Sequence, residues 1–167
     1  MASAMAHSVG ANLQQIKNGL KSFSPVGGRM SRHVGVKGAS IIDDSYNANP
    51  GSVRAAIDVL ASHKGQCVLV LGDLAELGDN ENELHASLGE YARSKNLDHF
   101  FTLGTLTKYA SDAFGNQEGT HHFTARNLLV AQLKEIATSN TTILIKGSRS
   151  AKMDLVVSAL CSNGDIH

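Results

Sequence analysis

Tryptophan is absent from this chain of 167 residues, and Phe and Tyr together make up only 5% of it. With so few rings, the stacking platforms on which single-stranded nucleic acids rest have little to be built from. An excess of charge of one sign is missing too, because fifteen Lys and Arg balance fifteen Asp and Glu. A neutral chain lacks the basic field that gathers phosphate backbones or anionic lipid headgroups. No run approaches the roughly 18 consecutive apolar residues that span a bilayer. Residues 1–15 show neither the basic start nor the unbroken apolar stretch of a secretory signal. The two cysteines, Cys67 and Cys161, are too few and too far apart for a disulfide framework or a Cys-x-x-Cys site. Nucleic-acid and membrane partners are therefore not expected, and a reducing cytoplasm is the expected location.

Catalytic signatures are missing as well. A phosphate-binding P-loop needs Gly-Lys followed by Ser or Thr, and no Gly-Lys dipeptide occurs; Lys37, Lys64 and Lys146 precede a glycine instead. No Gly-x-Gly-x-x-Gly follows a predicted strand, which disfavours a nicotinamide cofactor, and no Gly-x-Ser-x-Gly elbow marks a hydrolase. His121 and His122 are adjacent on a predicted strand, so they face opposite ways and cannot chelate together. His85, on a predicted helix, reads as a packing or surface residue. No metal is assigned to the chain, and no residue is nominated as a catalytic group.

What is present is a regular alternation. Val9, Leu13, Ile16, Leu20 and Phe23 recur at helical spacing and predict a helix over 3–23, followed by the Pro/Gly-rich segment Ser24 to Arg29. A domain boundary is expected there, with 1–25 belonging to a preceding domain and 26–167 forming the unit of interest. The helical opening suggests a chain cut from something longer. Beyond it, a hairpin is expected over 30–44, turning near Val36-Lys37-Gly38. Strands are expected at 66–71, 99–103, 120–123 and 142–145, and helices at 53–60, 81–95, 106–114, 126–138 and 151–160. Strands alternating with helices imply βαβ units, hence an α/β, Rossmann-like, doubly wound, mostly parallel sheet with an N-terminal hairpin.

Ligands in such sheets bind beyond the carboxyl ends of the strands. Four strand exits carry polar residues or glycine directly after an apolar run: Asp43 to Pro50, Gly72 to Gly78, Gly104-Thr105 and Lys146 to Ser150. In the first, Asn49-Pro50 has the grammar of a helix start, and Asp43 and Asp44 lie before it, within reach of ribose hydroxyls or a metal-bound phosphate. Those same residues are also ordinary turn and capping residues. The last exit sets Lys146, Ser148, Arg149 and Ser150 around an expected helix N-terminus, an arrangement suited to an anion. Arg149 can grip a carboxylate in a bidentate fork. The alternative is a serine cap with cations in solvent.

Asp43-Asp44-Ser45-Tyr46-Asn47-Ala48-Asn49-Pro50 with Ser52, Leu71-Gly72-Asp73-Leu74-Ala75-Glu76-Leu77-Gly78, Lys146-Gly147-Ser148-Arg149-Ser150 and the linker Pro25 to Arg29 together resemble the Mur ligase family, in its D-alanyl-D-alanine-adding branch. The resemblance covers essentially the whole chain, in order. It implies the C-terminal, Rossmann-like domain of a three-domain, ATP-dependent amide ligase of peptidoglycan synthesis, preceded by the last helix of the central ATPase domain. The missing Gly-Lys motif would then lie in that central domain.

By resemblance, the ligase phosphorylates the carboxylate of UDP-MurNAc-tripeptide with ATP and Mg²⁺, and D-Ala-D-Ala attacks the acyl phosphate. This domain would close as a lid and complete the nucleotide site. Both ATP and Mg²⁺ would be held mainly by the central domain, so the fragment alone is expected to be inactive and to bind neither tightly. Carried over residue by residue, Arg29 reaches ATP phosphates, Asp44 contacts the ribose, and Tyr46, Asn47 and Asn49 line the same loop. Lys146, Ser148 and Arg149 are expected to bind D-Ala-D-Ala, with Asp73 and Glu76 facing its ammonium or acting structurally. Two other readings remain: a sibling Mur or folylpolyglutamate-type ligase domain, and a stand-alone, non-catalytic binding module.

Overall fold

The computed structural model describes residues 5, 8–21, 27–116 and 118–161. The expected 25/26 boundary and Phe23 fall outside these residues. Within them the expected first helix is divided: Val9 closes one helical turn onto Met5, and Gly10 at φ +91° ends it. The chain restarts as α1 (Leu13–Lys21). Asn12 Oδ1 accepts from the Gln15 N–H and Gln15 Oε1 accepts from the Asn12 N–H, both at 2.9 Å. This reciprocal cap defines a new start. A continuous periodicity in the sequence was thus overridden by one left-handed glycine and one capping asparagine.

From residue 31 onward the elements follow the expected order. They are β1 (Ser31–Val34), β2 (Ser40–Asp44), α2 (Pro50–Ala61), β3 (Gln66–Gly72), α3 (Glu81–Arg93), β4 (His99–Leu103), α4 (Thr107–Phe114), β5 (Thr120–Phe123), α5 (Arg126–Ile136), β6 (Thr141–Lys146) and α6 (Asp154–Leu160). They form one six-stranded sheet in the order β1-β2-β6-β3-β4-β5. Only the β1–β2 pair is antiparallel. This is the expected α/β fold with its N-terminal hairpin.

The sheet separates two cores. Leu69 and Leu71 of β3 point with Ile42, Phe100 and Leu144 into one core, against Ile57 of α2, Leu88 of α3 and Phe114 of α4. Val68 and Val70 point with Ile41, Phe101, Ile143 and Ile145 into the other, against Leu129 of α5 and Val156 and Leu160 of α6. A strand covered on both faces must be apolar at every position, which is why QCVLVL reads as an unbroken run. The connections after β2, β3 and β4 therefore run over one face, and those after β5 and β6 over the other.

One element differs from expectation in a way that bears on function. The last helix begins at Asp154, not at 151. Between β6 and α6 lie a 3₁₀ turn, Arg149–Ala151, and Lys152 in the left-handed region at φ +49°. A left-handed lysine stops helical propagation, so the Lys146 to Ser150 loop does not open the α6 helix. The anion site envisaged at that helix start is corrected accordingly.

Candidate functional site at the carboxyl edge of the sheet

Because β2, β3, β4 and β6 are parallel, their four exits meet along one edge. The first exit is fixed locally. Asn49 Oδ1 accepts from the Ser52 N–H at 2.9 Å while Ser52 Oγ accepts from the Asn49 N–H at 3.1 Å, with Pro50 opening α2. Asp43 folds back on its own turn, accepting from the Ser45 N–H at 3.0 Å and its hydroxyl at 2.6 Å. The two neighbouring acids therefore divide: Asp43 holds the turn, and Asp44 faces a cation.

That cation is Lys146. Its Nζ donates to Asp44 Oδ2 at 2.5 Å and to the Asn47 carbonyl at 3.1 Å, with 2% of the residue exposed. Asp44 Oδ1 also accepts from the Met30 N–H at 3.2 Å. The β2–β6 register sets Asp44 directly beside Lys146, so strand pairing builds the ion pair. It lies on the wall of a cleft of about 470 Å³ that also takes in Arg29, Tyr46, Asn47 and Asn49. The five residues expected at the nucleotide are thereby gathered, with Lys146 among them.

Two guanidiniums lie near the Tyr46 ring. Arg29 lies 4.5 Å from its ring centroid and Arg149 5.4 Å, distances at which a cation is attracted to the ring. Arg149 faces a second cleft, of about 610 Å³, lined in part by Asp43, Ser45, Tyr46 and Lys152.

The remaining expected residues part company. Asp73 caps α4 from the exit of the neighbouring strand β3: its carboxylate accepts from the Thr105 and Thr107 N–H groups, both at 2.8 Å, at a helix whose own N-cap, Leu106, supplies no side-chain acceptor. Gly104 makes this possible, since a Cβ there would meet the Asp73 carboxyl at 2.3 Å. The Asp73 carbonyl in turn accepts from the Ser148 N–H at 2.9 Å and hydroxyl at 2.6 Å, tying the β3 exit to the β6 exit. Glu76 is exposed, in the left-handed region at φ +60°. Replacing Asp73 with Ala removes two helix-terminal acceptors, and a loss of about 1–2 kcal/mol in urea denaturation is the expected result. A loss below about 0.3 kcal/mol would show that α4 does not depend on this cap.

The bonding roles of two residues were not legible in the sequence. His85 is fully buried; its Nδ1–H donates to the Glu81 carbonyl at 2.7 Å and its Nε2 accepts from the Leu74 N–H at 3.1 Å, pinning the β3 exit to α3. Arg126 stands at the exit of β5, whose sequence THHF lacks the apolar run that flagged the other exits. Elsewhere, burial pushes the His122 pKa down, and its Nδ1 meets Thr102 Oγ1 at 2.9 Å. Among the described residues no group of three His, Cys, Asp or Glu side chains is placed to hold a metal.

Comparison with known proteins bears on the same residues. UDP-N-acetylmuramoyl-tripeptide–D-alanyl-D-alanine ligase of Escherichia coli is 42% identical over 165 residues, which is 98% of this chain and 36% of that protein. The Haemophilus influenzae protein of the same name is 35% identical over 161 residues, 95% of this chain and 35% of that protein. This chain thus spans about a third of the length of the curated relatives it matches. A crystal structure of MurF from Acinetobacter baumannii superposes with a TM-score of 0.81 at 30% identity, covering 94% of this chain and 35% of that one. Residues 28–149 match the family described as Mur ligase, glutamate ligase domain, so that the cleft around Asp44 and the capping Asp73 belong to that domain and the chain is a member of the Mur ligase family.

Proposed function

We propose that this chain is the C-terminal domain of an ATP-dependent ligase that joins D-alanyl-D-alanine to UDP-MurNAc-tripeptide, with residues 26–167 as the domain and 1–25 belonging to the one before it. The observation that carries the reading is the cleft in which Arg29, Asp44, Tyr46, Asn47 and Asn49 converge, in a chain whose relatives bear that enzyme's name. The reaction transfers the γ-phosphoryl of ATP to the tripeptide carboxylate, giving ADP and an acyl phosphate. The dipeptide amine then attacks the carbonyl carbon, the carbon–oxygen bond to phosphate breaks, and an amide, phosphate and a proton result.

In this reading the chain's residues position and neutralise. Arg29, exposed and resting on Tyr46, turns toward the phosphates; a guanidinium suits a phosphate oxygen pair. Asp44 offers its carboxylate to the ribose. Lys146, although it lies on the nucleotide side of the edge, orients Asp44 and keeps a positive charge near the transferred group. Ser148, Arg149, Asp73 and Glu76 form the side from which the dipeptide arrives. Asp44 is already paired with Lys146, and no acidic cluster accompanies it among the described residues, so the proposal gives Mg²⁺ no ligand here.

The test is a chimera that places this chain after the preceding two domains of the Escherichia coli relative. Ligation of D-Ala-D-Ala to the tripeptide precursor, with ADP released, is the expected outcome. Activity with glutamate or diaminopimelate instead, or a folded chimera that makes no product, would overturn the reading in favour of a sibling ligase or a binding module.

A further inference from the structure

At the far side of the carboxyl edge, a third, open cleft of about 290 Å³ is lined by Asp73, Leu103, Gly104, Thr124, Arg126 and Ala151. It lies where the sheet's connections change face, since β4 leads into α4 on one side and β5 into α5 on the other. Such a switch point is where open α/β sheets leave room for a ligand.

Arg126 is the unusual group in it. Among the described residues its Nε is buried without a hydrogen-bond partner, and its guanidinium reaches only the Ala151 carbonyl, at 3.5 Å. A guanidinium has five donors, and on this half-buried side chain the one at Nε is out of water without an acceptor, a cost that an anion in the cleft would offset. Three other cations of the edge are engaged: Lys146 with Asp44, and Arg29 and Arg149 against Tyr46. Arg126 also opens α5, a helix of 11 residues whose N-cap, Ala125, offers no side-chain acceptor, so its first N–H groups add to the positive end.

The same lining also carries the opposite sign, at Asp73. Asp73 holds two N–H groups, yet a carboxylate has about four acceptor positions. A small cleft lined by both a guanidinium and a carboxylate fits a short zwitterion. We propose that this cleft is the subsite for the amine substrate, with Arg126 as the anchor of its carboxylate and Asp73 at its amino end. The assignment rests on the ligase reading above and deepens it, moving the carboxylate anchor from Arg149 to a residue in none of the conspicuous loops. It sets the amine toward Ser148 and Lys146, the side on which the acyl phosphate would be presented.

The experiment is an amide NMR titration of the 167-residue chain with D-alanyl-D-alanine, with its C-terminal amide, and with L-alanyl-L-alanine. Shifts at Gly104, Thr124, Arg126, Asn127 and Ala151 with D-alanyl-D-alanine, lost with the amide, are expected. Arg126→Ala should weaken binding by about tenfold or more, the usual worth of a charged hydrogen-bonded contact. Arg126→Lys should recover only part of it, and the unperturbed amides of β3 and β6 report that each variant is folded. Shifts confined to Arg149 and Lys152, equal binding of the amide, or no shift in a dispersed spectrum would each overturn the subsite. The chimera's activity tests the ligase reading separately, so the two can fail independently.

Discussion

Lys146→Met should cost about 3–5 kcal/mol of stability, the usual loss when one member of a buried ion pair is removed. The magnitude follows from what is left behind. Lys146 is 2% exposed and donates to both Asp44 and the Asn47 carbonyl, while the Asp44 side chain is 14% exposed. Removing the ammonium strands a carboxylate whose one remaining donor among the described residues is the Met30 N–H. It also releases the Asn47 carbonyl that holds the β2–α2 loop in place. Equilibrium urea denaturation should show the midpoint falling with an unchanged slope. The double variant Asp44→Asn with Lys146→Met should regain much of the loss, because no charge is then buried alone. A loss below about 1 kcal/mol in the single variant would mean that water reaches Asp44 freely and that the pair is not a buried one.

Gly89→Ala is the second substitution with a large expected effect, and its sign is opposite to what helix propensity suggests. Alanine inside a helix is favoured over glycine by about 1 kcal/mol. At Gly89, however, in the middle of α3, a Cβ would meet the Ala110 carbonyl oxygen at 2.0 Å and its carbon at 2.8 Å. These are backbone atoms of α4, which is fixed by Phe114 against Phe100, their ring centroids 5.0 Å apart. Neither helix can retreat without opening the core between them. Overpacking of this kind costs about 1–3 kcal/mol in an ordinary core, and with backbone as the obstacle the upper end is expected. Thermal unfolding should register a clear fall in midpoint. A rise would show that α3 and α4 are free to separate.

That pair of helices also marks where sequence reading stops. Gly89 lies in ENELHASLGEYAR, a helix by pattern, and nothing in the segment says that another helix presses against it. The same holds for His85, which reads as a surface or packing residue and proves to join two backbone groups across a loop. Both depend on atoms distant in sequence, and periodicity carries no information about those.

At the site the division is similar. The Asn49-Pro50 start of α2 was legible because a cap is local: acceptor and donor lie three residues apart. Which of two adjacent acids would face a cation was not, because Lys146 stands 102 residues from Asp44 and meets it only through the register of β2 on β6. The Lys146 to Ser150 loop, read as a helix start, became a 3₁₀ turn once Ser148 was bound to the Asp73 carbonyl and Lys152 went left-handed.

The sequence by itself determined the order of strands and helices, the mostly parallel sheet and the edge on which the site would form. Those follow from hydrophobic period, turn residues and caps, all interactions within a few residues. Tertiary structure decided which polar groups meet: Asp44 with Lys146, Asp73 with the start of α4, and Arg126 with almost nothing. Such pairings are set by strand register and by which face each crossover takes, and a one-residue change in register would exchange every partner.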